Sequence, residues 1–348
     1  MSHATLDGAM RSDQTLVAFR RENDFVIRNF RFQSGETLPE LRIHYVTIGT
    51  LRRDSAGRVT NAVLLLHGTN GSGKIILDHL TSELFGRGQP LDCEKYYLIV
   101  PDAIGCGRSS KPSDGLRAEF PRYGYNDMVE AQRQLLTREL DVDHLRLILG
   151  LSMGAMHVWI WGGKYPDMMD GLVPLVALPK PIAGHNLLWR RAITESIRND
   201  PDYNGGDYIK PPSHWIYLLP VQYMMTESRV RLHEAAPNRE KALELFQKIL
   251  EDARRLDAND YCYGYEASWD YNPEPLLPMI RARLLAINFA DDLANALELG
   301  FVEDAIAKIP NARSVVVPAG DKSHGHFGSR YPDLWKHHLV EFLESLPR

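Results

Sequence analysis

Long apolar runs are missing from this chain of 348 residues. The longest reach six or seven residues, too short to span a bilayer, so no membrane partner is expected. The first twenty residues hold no apolar stretch of the kind a secretory signal needs. Cysteine is scarce: Cys93, Cys106 and Cys262 are odd in number and widely spaced, which excludes a disulfide framework and fits no zinc pattern. A reduced, cytoplasmic location is the resulting expectation. There is no excess of basic charge either. Forty Lys and Arg stand against forty-five Asp and Glu, a net charge of −5, so nothing is available to neutralise a nucleic-acid backbone. Repeats and low-complexity tracts are absent. What is present, 44% hydrophobic and 24% charged residues, is ordinary for a globular chain able to build a core.

The positive signal is a rhythm. Short apolar segments recur at Asn61–His67, Tyr96–Pro101, Leu145–Gly150, Leu172–Leu178, Arg283–Phe289 and Ala312–Pro318. None alternates strictly, which predicts strands buried on both faces. Helical patterns lie between them, at Asn126–Leu140 (with Asn126 or Asp127 as N-cap) and Met153–Tyr165, and after them at Pro332–Leu346. Leu41–Thr47 reads as an antiparallel edge strand. Such alternation predicts an α/β fold with a mostly parallel central sheet flanked by helices. The rhythm stops between residues 180 and 278, a stretch rich in aromatics such as Trp189, Trp215, Tyr217 and Tyr223. It reads as a mainly helical cap inserted into a core formed by residues 1–179 and 279–348, over the sheet edge where ligands bind in such folds.

Gly150-Leu151-Ser152-Met153-Gly154 is the sharpest motif, a G-x-S-x-G between an apolar strand and a helix. That is the setting of a nucleophile elbow, in which the serine hydroxyl projects above the sheet. Ser152 then needs a base and a carboxylate, in the chain order Ser, Asp, His. Asp291-Asp292 follows one strand and His324-Gly325-His326 the next; Asp292 and His326 are preferred, with Asp291 and His324 as alternates. The amides of Met153 and Thr69 are the expected oxyanion donors, Thr69 lying in the His67–Gly71 turn. No metal and no cofactor is implied by this set.

A rival overlaps the turn. Gly68–Lys74 matches the start of a phosphate-binding loop, G-x-x-x-x-G-K, and Asp102 could mimic its metal carboxylate. The hydroxyl residue required next is Ile75 instead, and without it the magnesium ion loses a ligand. Cys106 reads as a small buried residue, and Gly105-Cys106-Gly107 as a tight turn.

With these residues in view, the chain resembles the α/β-hydrolase superfamily, and within it the homoserine O-acetyltransferase-like branch. The likeness runs through Tyr45–Leu51, Gly150–Met156, Trp161, Tyr165-Pro166-Asp167, Ile197–Pro201, Gly205–Tyr208 and Asp270-Tyr271. It implies an aspartate four residues before a proline; Ala296 stands in that proline's place and points to Asp292. It also implies a histidine after a glycine, which matches His326. Two departures matter. Ile104–Pro112 reads more like hydrolases of the superfamily, and Met225–Arg229 only loosely echoes the cap arginine that holds an amino-acid acceptor. Hydrolysis of a small ester is therefore the first expectation. Transfer from acyl-CoA to an alcohol is the second, and the resemblance also implies a homodimer.

Overall fold

The computed structural model describes residues 19–295 and 297–347. The signal-free N-terminal reading and Ala296 fall outside them. Eight strands make one sheet among the described residues: β1 (Arg20–Arg31), β2 (Thr37–Ile48), β3 (Ala62–Leu66), β4 (Tyr97–Pro101), β5 (Leu145–Leu151), β6 (Met169–Leu175), β7 (Arg283–Phe289) and β8 (Ala312–Val317). Their order is β1-β2-β4-β3-β5-β6-β7-β8. β1, β2 and β4 pair antiparallel; from β4 through β3 to β8 every pairing is parallel. All five residues of β3 are buried, because helices cover both faces.

The helices are α1 (Gly73–Leu80), α2 (Tyr125–Gln134), α3 (Met153–Lys164), α4 (Gly184–Arg198), α5 (Leu219–Thr226), α6 (Arg229–Ala235), α7 (Arg239–Ala253), α8 (Ala258–Glu266), α9 (Phe301–Ile306) and α10 (Lys336–Ser345). Helices α4 to α8 follow one another between β6 and β7 and add no strand. They enclose an apolar cluster of their own, including Ile193, Ile197, Trp215, Leu250 and Tyr265.

Several expectations shift. Leu41–Thr47 is not an edge: β1 covers β2, with Arg21 opposite Thr47 and Ile27 opposite Leu41. β1 escapes a search for apolar runs because Arg20, Arg21, Glu22, Asp24, Arg28 and Arg31 are charged, as suits an edge strand. The fourth buried strand begins at Met169 and stops at Leu175, where Val176 turns the chain out with φ +55°. Helix α2 starts one residue earlier than expected, and its N-cap is Gly124. The Asp270 carboxylate accepts the Tyr125 and Asn126 amides at 2.8 and 3.0 Å, and Asp127 reaches back to the Gly124 amide at 2.9 Å. A distant side chain thus shares with Asp127 the capping that local sequence assigned to Asn126 or Asp127 alone. Beyond Gln134 the helix widens into a π turn, Leu135–Glu139, and Pro332–Leu334 forms a separate 3₁₀ turn before α10.

Candidate active site

The strand order reverses around β3, whose neighbours are β4 and β5. In parallel sheets such a switch point opens a crevice at the C-terminal strand ends. Leu66 of β3 lies opposite Gly150 of β5, so the turn after β3 and the turn after β5 meet. Gly68 shows how closely: a Cβ on it would lie 3.5 Å from the Ser152 Cβ.

Ser152 sits in that second turn with φ +53° and ψ −111°, a conformation that costs a side-chain-bearing residue energy. The flanking glycines permit it. A Cβ on Gly150 would lie 2.3 Å from the Gly154 carbonyl, and one on Gly154 2.3 Å from the Leu66 oxygen. The turn is tied down on both sides, since the Ser152 amide donates to Leu175 O at 2.9 Å and the Gly154 amide to His67 O at 3.0 Å. Met153 opens α3, so its amide is among those with no acceptor inside the helix.

His326 Nε2 lies 2.8 Å from Ser152 Oγ, and His326 Nδ1 lies 2.8 Å from Asp292 Oδ2. The three groups form one hydrogen-bonded line. Asp292 is 6% exposed and its other oxygen accepts the Ala294 amide at 2.8 Å. Asn295, which sequence reading missed, donates to Asp292 Oδ2 at 2.6 Å and to Val176 O at 3.1 Å. The alternates go elsewhere. Asp291 accepts the Gly325 amide at 3.0 Å, and His324 stacks on Tyr331 with ring centroids 3.6 Å apart. Both brace the loop that carries His326.

Thr69 lines the cavity above Ser152, together with Asn186, Trp189, Arg190, Gln222, Tyr265, Phe327 and Arg330. Apart from Thr69, these had no local signal beyond the aromatic character of residues 180–278, and Phe327 and Arg330 had none. Arg229, within the loose echo of the family's cap arginine, is exposed and does not line this cavity.

The phosphate-loop reading finds no matching geometry. Lys74 pairs with Asp78 one turn along α1, at 2.6 Å, and 76% of its side chain is exposed. Asp102 Oδ1 accepts the Gly73 amide at 2.6 Å, filling the helix N-terminus a phosphate would use, and Oδ2 accepts the Arg108 amide at 2.8 Å. Cys106 is buried, and burial pushes its thiol pKa up to about 12. Gly105 and Gly107 adopt φ +79° and +55°, as a tight turn needs. Among the described residues no cluster of His, Cys, Asp or Glu is grouped to hold a metal ion, and no helix is long and apolar enough to cross a membrane.

Residues 61–220 match the family model described as alpha/beta hydrolase fold. A homoserine O-acetyltransferase of Haloarcula marismortui is 32% identical over 298 residues, covering 72% of this chain and 71% of that one. The chain belongs to the α/β-hydrolase family, in its homoserine O-acetyltransferase-like branch. A probable acyltransferase of Methanothermobacter thermautotrophicus is 28% identical and covers 92% of this chain and 96% of its own. Among solved structures, an acetylester hydrolase from Corynebacterium glutamicum superposes with a TM-score of 0.80 at 21% identity, over 93% of this chain and 96% of its own. A homoserine O-acetyltransferase from Bacillus anthracis gives the same TM-score at 20% identity, over 94% and 98%. These two share the α/β-hydrolase fold. The protein is accordingly an enzyme of acyl transfer or ester hydrolysis, with a small-molecule substrate.

Proposed function

We propose that this α/β-hydrolase transfers an acyl group through an acyl-Ser152 intermediate, with water as the usual acceptor. Ser152 Oγ attacks the ester carbonyl while its proton passes to His326 Nε2. Asp292 holds His326 in the tautomer that leaves Nε2 free to accept, by taking the Nδ1–H. The oxyanion that forms faces the amides of Met153 and Thr69. The carbon–oxygen bond to the alcohol then breaks as His326 returns the proton to the leaving oxygen. Water, deprotonated by the same histidine, repeats the sequence and frees Ser152. The observation that carries this reading is the unbroken line from Asp292 through His326 to Ser152, with both distances 2.8 Å.

A second reading, O-acyl transfer from acyl-CoA to an alcohol, is supported by the homoserine O-acetyltransferases among the relatives. The two share every step up to the acyl-enzyme and part at the acceptor. The residues 180–278 serve in both as a cap that limits access of water. We take the enzyme to be cytoplasmic, which three unpaired, buried cysteines support. We also take it to be a homodimer, supported by Tyr217, Val221 and Met224, apolar and exposed on the cap; sedimentation equilibrium tests it.

Intact-protein mass after mixing with p-nitrophenyl acetate or acetyl-CoA decides between the two acceptors. An adduct on Ser152 from the simple ester, cleared by water within turnover time, supports hydrolysis. An adduct from acetyl-CoA, cleared only on adding an alcohol, supports transfer. No adduct from either, and none from a fluorophosphonate, would sink the serine mechanism.

A further inference from the structure

The cavity over Ser152 is small, about 140 Å³, and its wall holds two arginines and no carboxylate. The two differ in their surroundings. Arg330 lies over the Phe327 ring at 4.0 Å, and its charge is faced by Glu227. Arg190, on α4, is 5% exposed and has no carboxylate partner among the described residues. Its Nε donates to Asn186 Oδ1 at 2.7 Å, and its guanidinium lies 5.1 Å from the centre of the Tyr265 ring. Burying a guanidinium without a counter-charge is costly, so its retention needs a reason.

Neighbouring atoms supply one. Arg190 Nη1, Trp189 Nε1 and Thr69 Oγ1 are all buried, all able to donate, and all without an acceptor. All three residues line the cavity that Ser152 lines. The Tyr125 phenol, beside both Thr69 and Arg190, is buried and makes no hydrogen bond of ordinary length and angle to either. Buried donors left unsatisfied are rare in folded proteins, and several on residues that line one cavity call for an acceptor-rich guest. A carboxylate offers about four lone-pair sites and the matching charge. An uncharged alkyl chain offers neither.

The position of these donors indicates which end of the substrate carries the charge. His326 must protonate the leaving alcohol, so that alcohol lies by His326, Phe327 and Arg330, on the base's own loop. The unpaired donors belong to another wall, formed by the turn after β3 and by α4. We propose that the substrate carries a carboxylate in its acyl part, as in a half-ester or half-thioester of a short dicarboxylic acid. Arg190, with Trp189 and Thr69, is its receptor. This inference rests on the acyl-Ser152 reading and makes Arg190 a specificity residue.

The test compares charged esters with neutral isosteres on the full-length enzyme by pH-stat. Monomethyl succinate is set against methyl 4-methylpentanoate, and 3-acetoxypropionate against 3-methylbutyl acetate. The expected result is a kcat/KM for monomethyl succinate about tenfold or more above its isostere, the size of one lost charge-assisted contact. That ratio falls toward one in Arg190→Gln and recovers in part in Arg190→Lys. Being internal to each protein, it is insensitive to the fraction folded. A wild-type ratio at or below one, or one unchanged in Arg190→Gln, overturns the proposal. A preference confined to 3-acetoxypropionate overturns the assignment to the acyl part. Labelling of Ser152 by a neutral fluorophosphonate runs in parallel, and its absence overturns the underlying mechanism as well. If Ser152 labels but no ester turns over, protection by succinate and not by succinamide decides. Protection lost in Arg190→Gln supports the receptor, and no protection refutes it.

Discussion

The hydroxyl of Ser228, between helices α5 and α6, donates to the carbonyl of Ser323 at 2.9 Å, and Ser323 stands three residues before His326. The same junction presses on Gly325, whose φ is +53° and whose added Cβ would lie 3.1 Å from both Ser228 N and Thr226 O. From the other side Asp291 holds the Gly325 amide. The α5–α6 junction and the turn after β7 therefore hold the His326 loop from both sides. Ser228→Ala leaves the Ser323 carbonyl short of a donor, about 1 kcal/mol for a bond of this kind. It is expected to lower kcat several-fold with little change in KM. An unchanged kcat would show that the Ser228 contact does not reach His326.

Asp292 and Asp291 should differ sharply. Asp292→Asn keeps the shape but lets His326 take the wrong tautomer, and comparable substitutions cost about 10⁴ in kcat. Asp291→Asn keeps an oxygen that can accept the Gly325 amide and gives up only the charge of that bond, so it is expected to cost about tenfold or less, about 1 kcal/mol. Ser152→Ala should cost roughly 10⁴ to 10⁶. Steady-state rates on one ester suffice for all three, and equal losses at Asp291 and Asp292 would contradict the assignment.

Cys106 should be inert. With its thiol raised to about 12 by burial, almost no thiolate exists near neutrality. Iodoacetamide at pH 8 is expected to leave it unmodified until denaturant is added, as peptide mass mapping would show. Lys74→Ala should likewise leave ester turnover intact and reveal no loss of ATP binding, because the exposed Lys74 ammonium is paired with Asp78. Tight Mg²⁺-dependent ATP binding lost in that variant would revive the phosphate-loop reading.

Acid should weaken the fold through His157. Burial first, and then the charge of His67, pull its pKa down to about 3 from 6.5. Above pH 6.5 the ring is neutral folded and unfolded, and its contribution is complete. Between pH 6.5 and about 3 the unfolded chain takes up a proton that the folded chain refuses, so stability falls as pH falls, at up to roughly 1.4 kcal/mol per pH unit. Asp260 opposes this trend, since burial raises its pKa to about 6 and favours the fold at low pH. The informative quantity is therefore a difference. Urea midpoints of His157→Leu should depend less on pH than those of the wild type between pH 6 and 4, and identical slopes would refute the assignment.

Much of the architecture was legible because its causes are local. A strand buried on both faces must be apolar along its length, and β3, β4, β5 and β7 announce themselves that way. An edge strand is free to be polar, which is why β1 was silent and β2 was mistaken for an edge; the opposite edge, β8, keeps an apolar run and was read as buried on both faces, although none of its residues is fully buried. The register of β6 was missed because its apolar run continues past the point where Val176 leaves the sheet.

The elbow, too, is a local matter. Only residues without a Cβ fit at positions 150 and 154, so the glycines around Ser152 are written into the sequence by sterics. What the chain by itself determined was therefore the strand rhythm, the turn that presents Ser152 and a short set of candidate partners. Which aspartate and histidine reach Ser152, and that Asn295 and Arg190 stand beside them, was decided by tertiary structure. His326 and Ser152 are 174 residues apart, and the order of the parallel strands brings their turns to one edge of the sheet. No local preference encodes a contact of that span, because it exists only once the sheet has closed around β3.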